Sequence, residues 1–167
     1  DDVQNEKVER EEEEKRGEIH KPLPWYWANS IDSYEDVDKF QLCHVFYELG
    51  INIQPTLQIV NPILKKIKCI ALTRIKANLL IKTPNIVENT FHVDLRMSEE
   101  KLKQWTTSIF YVNTNNGYTK FEDGTKVESI ANRMVTFPAN LEHTGTSCTD
   151  EKRRVVINFN YFSDRNP

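Results

Sequence analysis

Residues 153–162 read RRVVINFNYF. In an extended chain, successive side chains point to opposite faces. Arg153, Val155, Ile157, Phe159 and Tyr161 therefore share one face, and Arg154, Val156, Asn158 and Asn160 share the other. The first face is apolar beyond its opening residue and is expected to pack under covering elements. The second is mixed, with Asn158 placed to line a polar pocket. A segment this dense in β-branched and aromatic residues reads as a strand.

The same texture runs back to residue 69. The stretches CIALTRIKANLLIK (69–82), VENTFHVDL (87–95), WTTSIFYVN (105–113), YTKFED (118–123), TKVESIA (125–131) and RMVTFPA (133–139) all read as strands. Turn chemistry separates them in NTNNGY, EDGT, FPAN and HTGTSCTDEK. Strands at this spacing predict a mainly β sandwich or barrel. KFQLCHVFYEL (39–49) adds an earlier strand, and NPILKKIKC (61–69) reads as a short helix with Asn61 as cap and Pro62 in its first turn. The helical pieces fall in the N-terminal third and are expected to cover one sheet. Trp25, Tyr26 and Trp27 are expected to plug one end of the core rather than to stack on a ligand.

The chain has 167 residues, 38% of them hydrophobic and 10% aromatic, which suits one domain with a sizeable core. Residues 1–16 hold eight acids and four bases, a net of −4, so of the chain's net charge of −3 the remaining residues contribute +1. We read 1–20 as a charged tail or helix and 21–167 as the folded domain. The folded part has no strong field to attract nucleic acid. Arg74 and Lys76 interrupt the best apolar run, so no membrane span is expected. Three cysteines, Cys43, Cys69 and Cys148, are far apart and fit reduced thiols in a cytoplasm.

Within FHVDLRM (91–97), His92 and Asp94 stand at i and i+2, about 7 Å apart on one face of an extended chain. Alone the pair is weak, since a half-buried histidine bonded to an aspartate is common. His143 in the polar turn NLEHTGTS changes the weighting. Two neutral imidazoles and one carboxylate form a facial triad that leaves open positions on Fe(II), and zinc accepts the same set. Eleven residues further on, Arg154 opens the last strand. A fixed guanidinium near a metal suits a dicarboxylate that chelates at one end and makes a two-pronged salt bridge at the other. Arg74 and Lys76 share a face of their strand, and a solvated face is the expectation for both.

With these residues in order, the chain resembles the 2-oxoglutarate- and Fe(II)-dependent oxygenases, in particular the prolyl 4-hydroxylase-like branch. IFYVN (109–113) is similar to that branch's aromatic-Tyr-Leu-Asn strand. NGYTKF (116–121) is similar to its Gly-Gly-x-Thr-x-Phe turn, with Asn116 in place of the first glycine. NRMVTF (132–137) resembles the strand before the distal histidine. The run from Phe121 to Thr146, together with RRVVINFNYF, resembles the short forms found in marine bacteriophages, which would place the protein in the host cytoplasm. The likeness covers roughly residues 40 to 162.

The resemblance implies a double-stranded β-helix (jelly roll) with His92, Asp94 and His143 as ligands of a catalytic Fe(II). It implies 2-oxoglutarate as cosubstrate, held at its distal carboxylate by Arg154 with the Tyr111 hydroxyl and with Asn158 nearby. It also implies O2 as oxidant, ascorbate as an accessory reductant, and succinate and CO2 as products. The branch suggests a prolyl residue in a peptide or protein as substrate; a free amino acid, a sugar or a nucleobase stays open. A metal-holding jelly-roll module without turnover and a zinc hydrolase are the other readings, the latter with only Glu142 as a base. Specificity is expected in the loops IKTPNIVENT (81–90) and RMSEEKLKQW (96–105).

Overall fold

The computed structural model describes residues 23–31, 39–52 and 56–163. The acidic block at 1–16 and the boundary near residue 20 lie outside the described residues. Among those described are strands β1 (Tyr26–Ala28), β2 (Gln41–Glu48), β3 (Ile51–Asn52), β4 (Cys69–Ile81), β5 (Trp105–Tyr111), β6 (Tyr118–Phe121), β7 (Lys126–Glu128), β8 (Met134–Pro138), β9 (His143–Gly145) and β10 (Arg153–Ser163). Two helices accompany them, α1 (Leu57–Leu64) and α2 (Glu99–Leu102). The mainly β architecture expected from the strand spacing, and the jelly roll that the resemblance implies, are the fold observed. A large sheet runs β1-β2-β4-β10-β5-β8, with β3 paired to β2, and faces a small sheet ordered β7-β6-β9.

Strand β10 sits between β4 and β5 and pairs antiparallel with both. Its alternation is realised as read. Ile157, Phe159 and Tyr161 join Phe46, Ile75 and Ala77 in a core on the outer side of the large sheet. Helix α1 covers that core. Val60 is fully buried, and Leu57, Ile63 and Leu64 pack beside it, the spacing of one helical face. The other β10 face turns inward, where Val156 packs with Ile109, Tyr111, Phe121 and Phe137 between the sheets. Phe159 has no exposed surface. Phe159→Ala is expected to cost about 3–5 kcal/mol, read as a lower midpoint in urea unfolding.

Three local expectations need correction. The helix begins at Leu57, not Asn61, and carries Pro62 inside it. Thr56 stands at its N-cap without a side-chain cap bond; its hydroxyl lies 2.9 Å from His44 Nε2 instead. The apolar spacing 57, 60, 63 and 64 therefore outweighs the cap-like Asn-Pro pair. Residues 87–95 do not form a ladder strand. They run extended beside β9 and touch it through isolated bridges at Glu88–Thr146 and His92–His143. Of the aromatic trio, Trp25 alone packs on the core. Tyr26 and Trp27 are exposed, and Trp27 stacks on Phe40 at 4.1 Å.

The EDGT turn closes the β6–β7 hairpin with Gly124 at φ +88°, a conformation that favours glycine. All three cysteines are free thiols. No described helix is long and apolar enough to cross a membrane.

Candidate metal centre and anion pocket

His92 and His143 are held side by side by an antiparallel backbone bridge. The His92 N–H donates to the His143 carbonyl at 3.0 Å, and the His143 N–H returns the bond at 3.1 Å. Their rings lie 4.8 Å apart. His92 Nδ1 is 3.1 Å from the Thr90 carbonyl, and His143 Nδ1 is 3.3 Å from that of Leu141. A carbonyl can only accept, so both Nδ1 atoms carry the hydrogen and each Nε2 presents a lone pair. Phe137 and Phe121 flank the His143 ring. Burial pushes the His143 imidazole below its ordinary pKa, although Asp94 pulls the other way. The neutral form is thereby favoured, the form in which an imidazole can hold a metal.

Asp94 completes the group. Its Oδ1 lies 3.9 Å from His92 Nε2, and one ligand atom from each of the three residues lies within 4.8 Å of the others. The donor set fits a divalent transition metal. The carboxylate is almost fully buried and strongly oriented. Arg74 reaches Oδ1 at 3.0 Å, and Asn160 Nδ2 donates to Oδ2 at 3.0 Å. The Asn158 amide donates to both oxygens at 3.3 Å. Burial alone would raise the Asp94 pKa; the Arg74 guanidinium and the Asn160 amide outweigh it and hold the group well below the usual carboxylate range. The network continues outward from Arg74 Nε to Asn160 Oδ1 at 3.1 Å, and from Asn160 to Thr107. A carboxylate hydrogen-bonded in this way keeps one orientation, as an outer shell of partners does for a metal-binding carboxylate.

A cavity of about 280 Å³ opens on this centre and extends to Arg154. Arg154 is 3% exposed. Its Nε donates to Ser129 Oγ at 2.7 Å, and Nη2 to Thr119 Oγ1 at 3.3 Å. Its guanidinium sits 5.7 Å from the Tyr111 ring centroid. Among the described residues no carboxylate lies within ion-pair distance of it. Burial without a counter-ion draws its pKa down to about 10, still high enough to keep it charged at neutral pH. Burying an uncompensated cation costs several kcal/mol, and an anionic ligand would offset that cost. The backbone makes room for this side chain. A Cβ on Gly117 would meet Arg154 Cδ at 2.7 Å and the Ser147 carbonyl at 2.6 Å, and one on Gly145 would meet Arg154 Nη1 at 3.3 Å.

The structure brings His92, Asp94, His143, Arg154 and Asn158 to one cavity. Asn158 touches Asp94 there and leaves its own Oδ1 unpartnered. Tyr111 stands one layer back. Its hydroxyl donates to Thr119 Oγ1 at 2.8 Å, and Thr119 in turn meets Arg154. Glu142 is exposed and does not line the cavity, so the single base named for a zinc hydrolase is out of place. The sequence reading put Arg74 and Lys76 on a solvated face; both line the cavity. It also missed Asn160, Ser129 and Thr119. Alternation along β10 was the available signal for Asn160. Nothing local marks Ser129.

With this geometry in hand, comparison with solved structures gives a consistent fold. The chain is similar to an oxidoreductase of the 2OG-Fe(II) oxygenase family from Burkholderia pseudomallei, with a TM-score of 0.56 at 9% identity over 92% of this chain and 81% of that one. Weaker likenesses include the EutQ protein of Clostridium difficile, with a TM-score of 0.43, 9% identity, and coverage of 82% and 79%. An HTH_3 family transcriptional regulator from Vibrio cholerae gives 0.42 at 9% identity, over 73% of this chain and about half, 51%, of the regulator. At 9% identity the likeness to the Burkholderia oxidoreductase speaks for the fold alone. No protein-family model matches the chain, and no curated protein sequence matches it.

Proposed function

We propose that the protein is an Fe(II)- and 2-oxoglutarate-dependent dioxygenase that hydroxylates a prolyl residue in a peptide or protein. The observation that carries the oxygenase reading is a buried arginine without a carboxylate partner in the same cavity as a His-Asp-His group. A metal-holding module has no use for such a clamp, whereas a chelating dicarboxylate needs one.

In this reading the two Nε2 atoms and the Asp94 carboxylate hold the metal on one side. Arg74, Asn158 and Asn160 fix the carboxylate's orientation. Arg154 takes the distal carboxylate of 2-oxoglutarate, with Ser129, Thr119 and, behind Thr119, Tyr111 fixing the guanidinium. Ile109 and Val156 give the cavity apolar wall between these polar ends and limit water there. Bound Fe(II) and 2-oxoglutarate supply the oxidising chemistry: one oxygen atom of O2 goes to the substrate C–H bond, the other to succinate, with CO2 released.

The prolyl assignment rests on the likeness of residues 109–121 and 132–137 to that branch. A proline-rich peptide is expected to raise succinate release above the level without substrate and to gain one oxygen atom by mass. Stimulation by single-stranded DNA or a free amino acid, with none by any peptide, would move the assignment off prolyl hydroxylation.

A further inference from the structure

The inner face of β4 presents Arg74, Lys76, Asn78 and Leu80 to the cavity. Two of the cavity's cations already have work in the oxygenase reading, Arg74 on Asp94 and Arg154 on 2-oxoglutarate. Lys76 does not. Among the described residues it has no ion-pair or hydrogen-bond partner, although its side chain is half-buried on the cavity wall.

Its neighbours carry a second, independent mark. Among the described residues two buried side-chain polar atoms lack a hydrogen-bond partner, Asn78 Oδ1 and Asn158 Oδ1. Both side chains line this cavity. Asn78 stands two residues from Lys76 on the same face, and Asn158 is the cross-strand partner of Lys76 on β10. Asn158 is 6% exposed, and its amide nitrogen is already spent on Asp94. One ammonium and two acceptor oxygens therefore stand without counterparts on residues lining one cavity. Buried acceptors left unpaired are costly, and a cation on a cavity wall draws anions.

We propose that this patch binds the prime substrate through an anionic group on Lys76 and an N–H or O–H donor that meets Asn78 and Asn158. In a prolyl peptide the anion is an acidic residue beside the target; a free hydroxy or amino acid is the other source, and its binding in place of any peptide would move the assignment off prolyl hydroxylation. The proposal rests on the oxygenase reading only in assigning Arg154 to 2-oxoglutarate.

The test is isothermal titration of protein loaded without air with Mn(II), first alone and then with saturating 2-oxoglutarate. The probes are L-malate and N-acetyl-L-aspartate as free acids, each beside its uncharged diamide, and the blocked peptides Glu-Pro-Gly and Gln-Pro-Gly. At least one anionic probe is expected to bind about tenfold or more tighter than its neutral counterpart, the usual size of a charge-assisted hydrogen bond. Lys76→Met should erase that difference, and Lys76→Arg should restore most of it. Whichever probe binds, free acid or peptide, identifies the source of the anion.

Equal binding of neutral and anionic probes, no binding of any anionic probe, or discrimination that survives Lys76→Met overturns the proposal. So does a loss of 2-oxoglutarate affinity in Lys76→Met as large as in Arg154→Ala, because Lys76 would then hold the cosubstrate. Failure of 2-oxoglutarate to bind the Mn(II) protein sinks the oxygenase reading instead, and anion discrimination is still scored in the protein with metal alone.

Discussion

Arg154→Ala is expected to raise the apparent 2-oxoglutarate constant at least about a hundredfold, since removing one partner of a desolvated charge pair typically costs several kcal/mol. Arg153→Ala is expected to change it little. The two residues are adjacent in sequence and opposite in environment. Arg154 is buried against Ser129 and Thr119 in the cavity, whereas Arg153 is exposed on the far face of β10. Arg154→Lys should recover only part of the loss. An ammonium cannot reproduce the fork that meets a carboxylate at two points while also donating to Ser129. Titrating 2-oxoglutarate into each variant at saturating iron checks the ranking. The reverse ranking would mean that the inward face of β10 does not bind the cosubstrate.

The proposed metal ligands carry the other large expectation. His92→Ala and His143→Ala should each lose Fe(II) binding at micromolar metal and reduce succinate formation to background. Asp94→Ala should do the same but is the less clean variant. It leaves the Arg74 guanidinium and the Asn158 and Asn160 amides facing a site without an acceptor, and a buried unpaired charge destabilises by about 3–5 kcal/mol. A drop in melting temperature should therefore accompany loss of activity in Asp94→Ala. His92 is the cleanest position, because its side chain is 25% exposed and its removal leaves the Asp94 network bonded. Equilibrium dialysis against Fe(II), with thermal melts alongside, separates loss of the site from loss of the fold.

Much of this centre was legible because β alternation is a strict code. It separated Arg154 from Arg153 and placed Asn158 inward, and the i, i+2 spacing of His92 and Asp94 survived even though their segment is not a ladder strand. The extended backbone that the spacing needs is held by one bridge to His143 rather than by a sheet. What alternation cannot tell is whether a polar face looks at water or into a cavity. Arg74 and Lys76 on β4 look the same in both cases, and only the small sheet lying opposite decides it. Ser129 and Thr119 were hidden for a related reason. They serve Arg154 from β6 and from the end of the β7 hairpin, across sequence separations of 35 and 25 residues. The misplaced start of α1 has a local cause, since Asn61-Pro62 imitates a helix start inside a helix.

The central claim, that a His-Asp-His metal site and Arg154 together run 2-oxoglutarate chemistry, meets its most direct test in one assay. The protein is purified without air, given Fe(II) and 2-oxoglutarate, exposed to O2, and succinate is measured against 2-oxoglutarate consumed. The account predicts slow succinate release that requires Fe(II) and O2 and is absent from the His92→Ala/His143→Ala double variant. No succinate from the native protein under any iron or oxygen condition, or succinate from the double variant at the native rate, would contradict it.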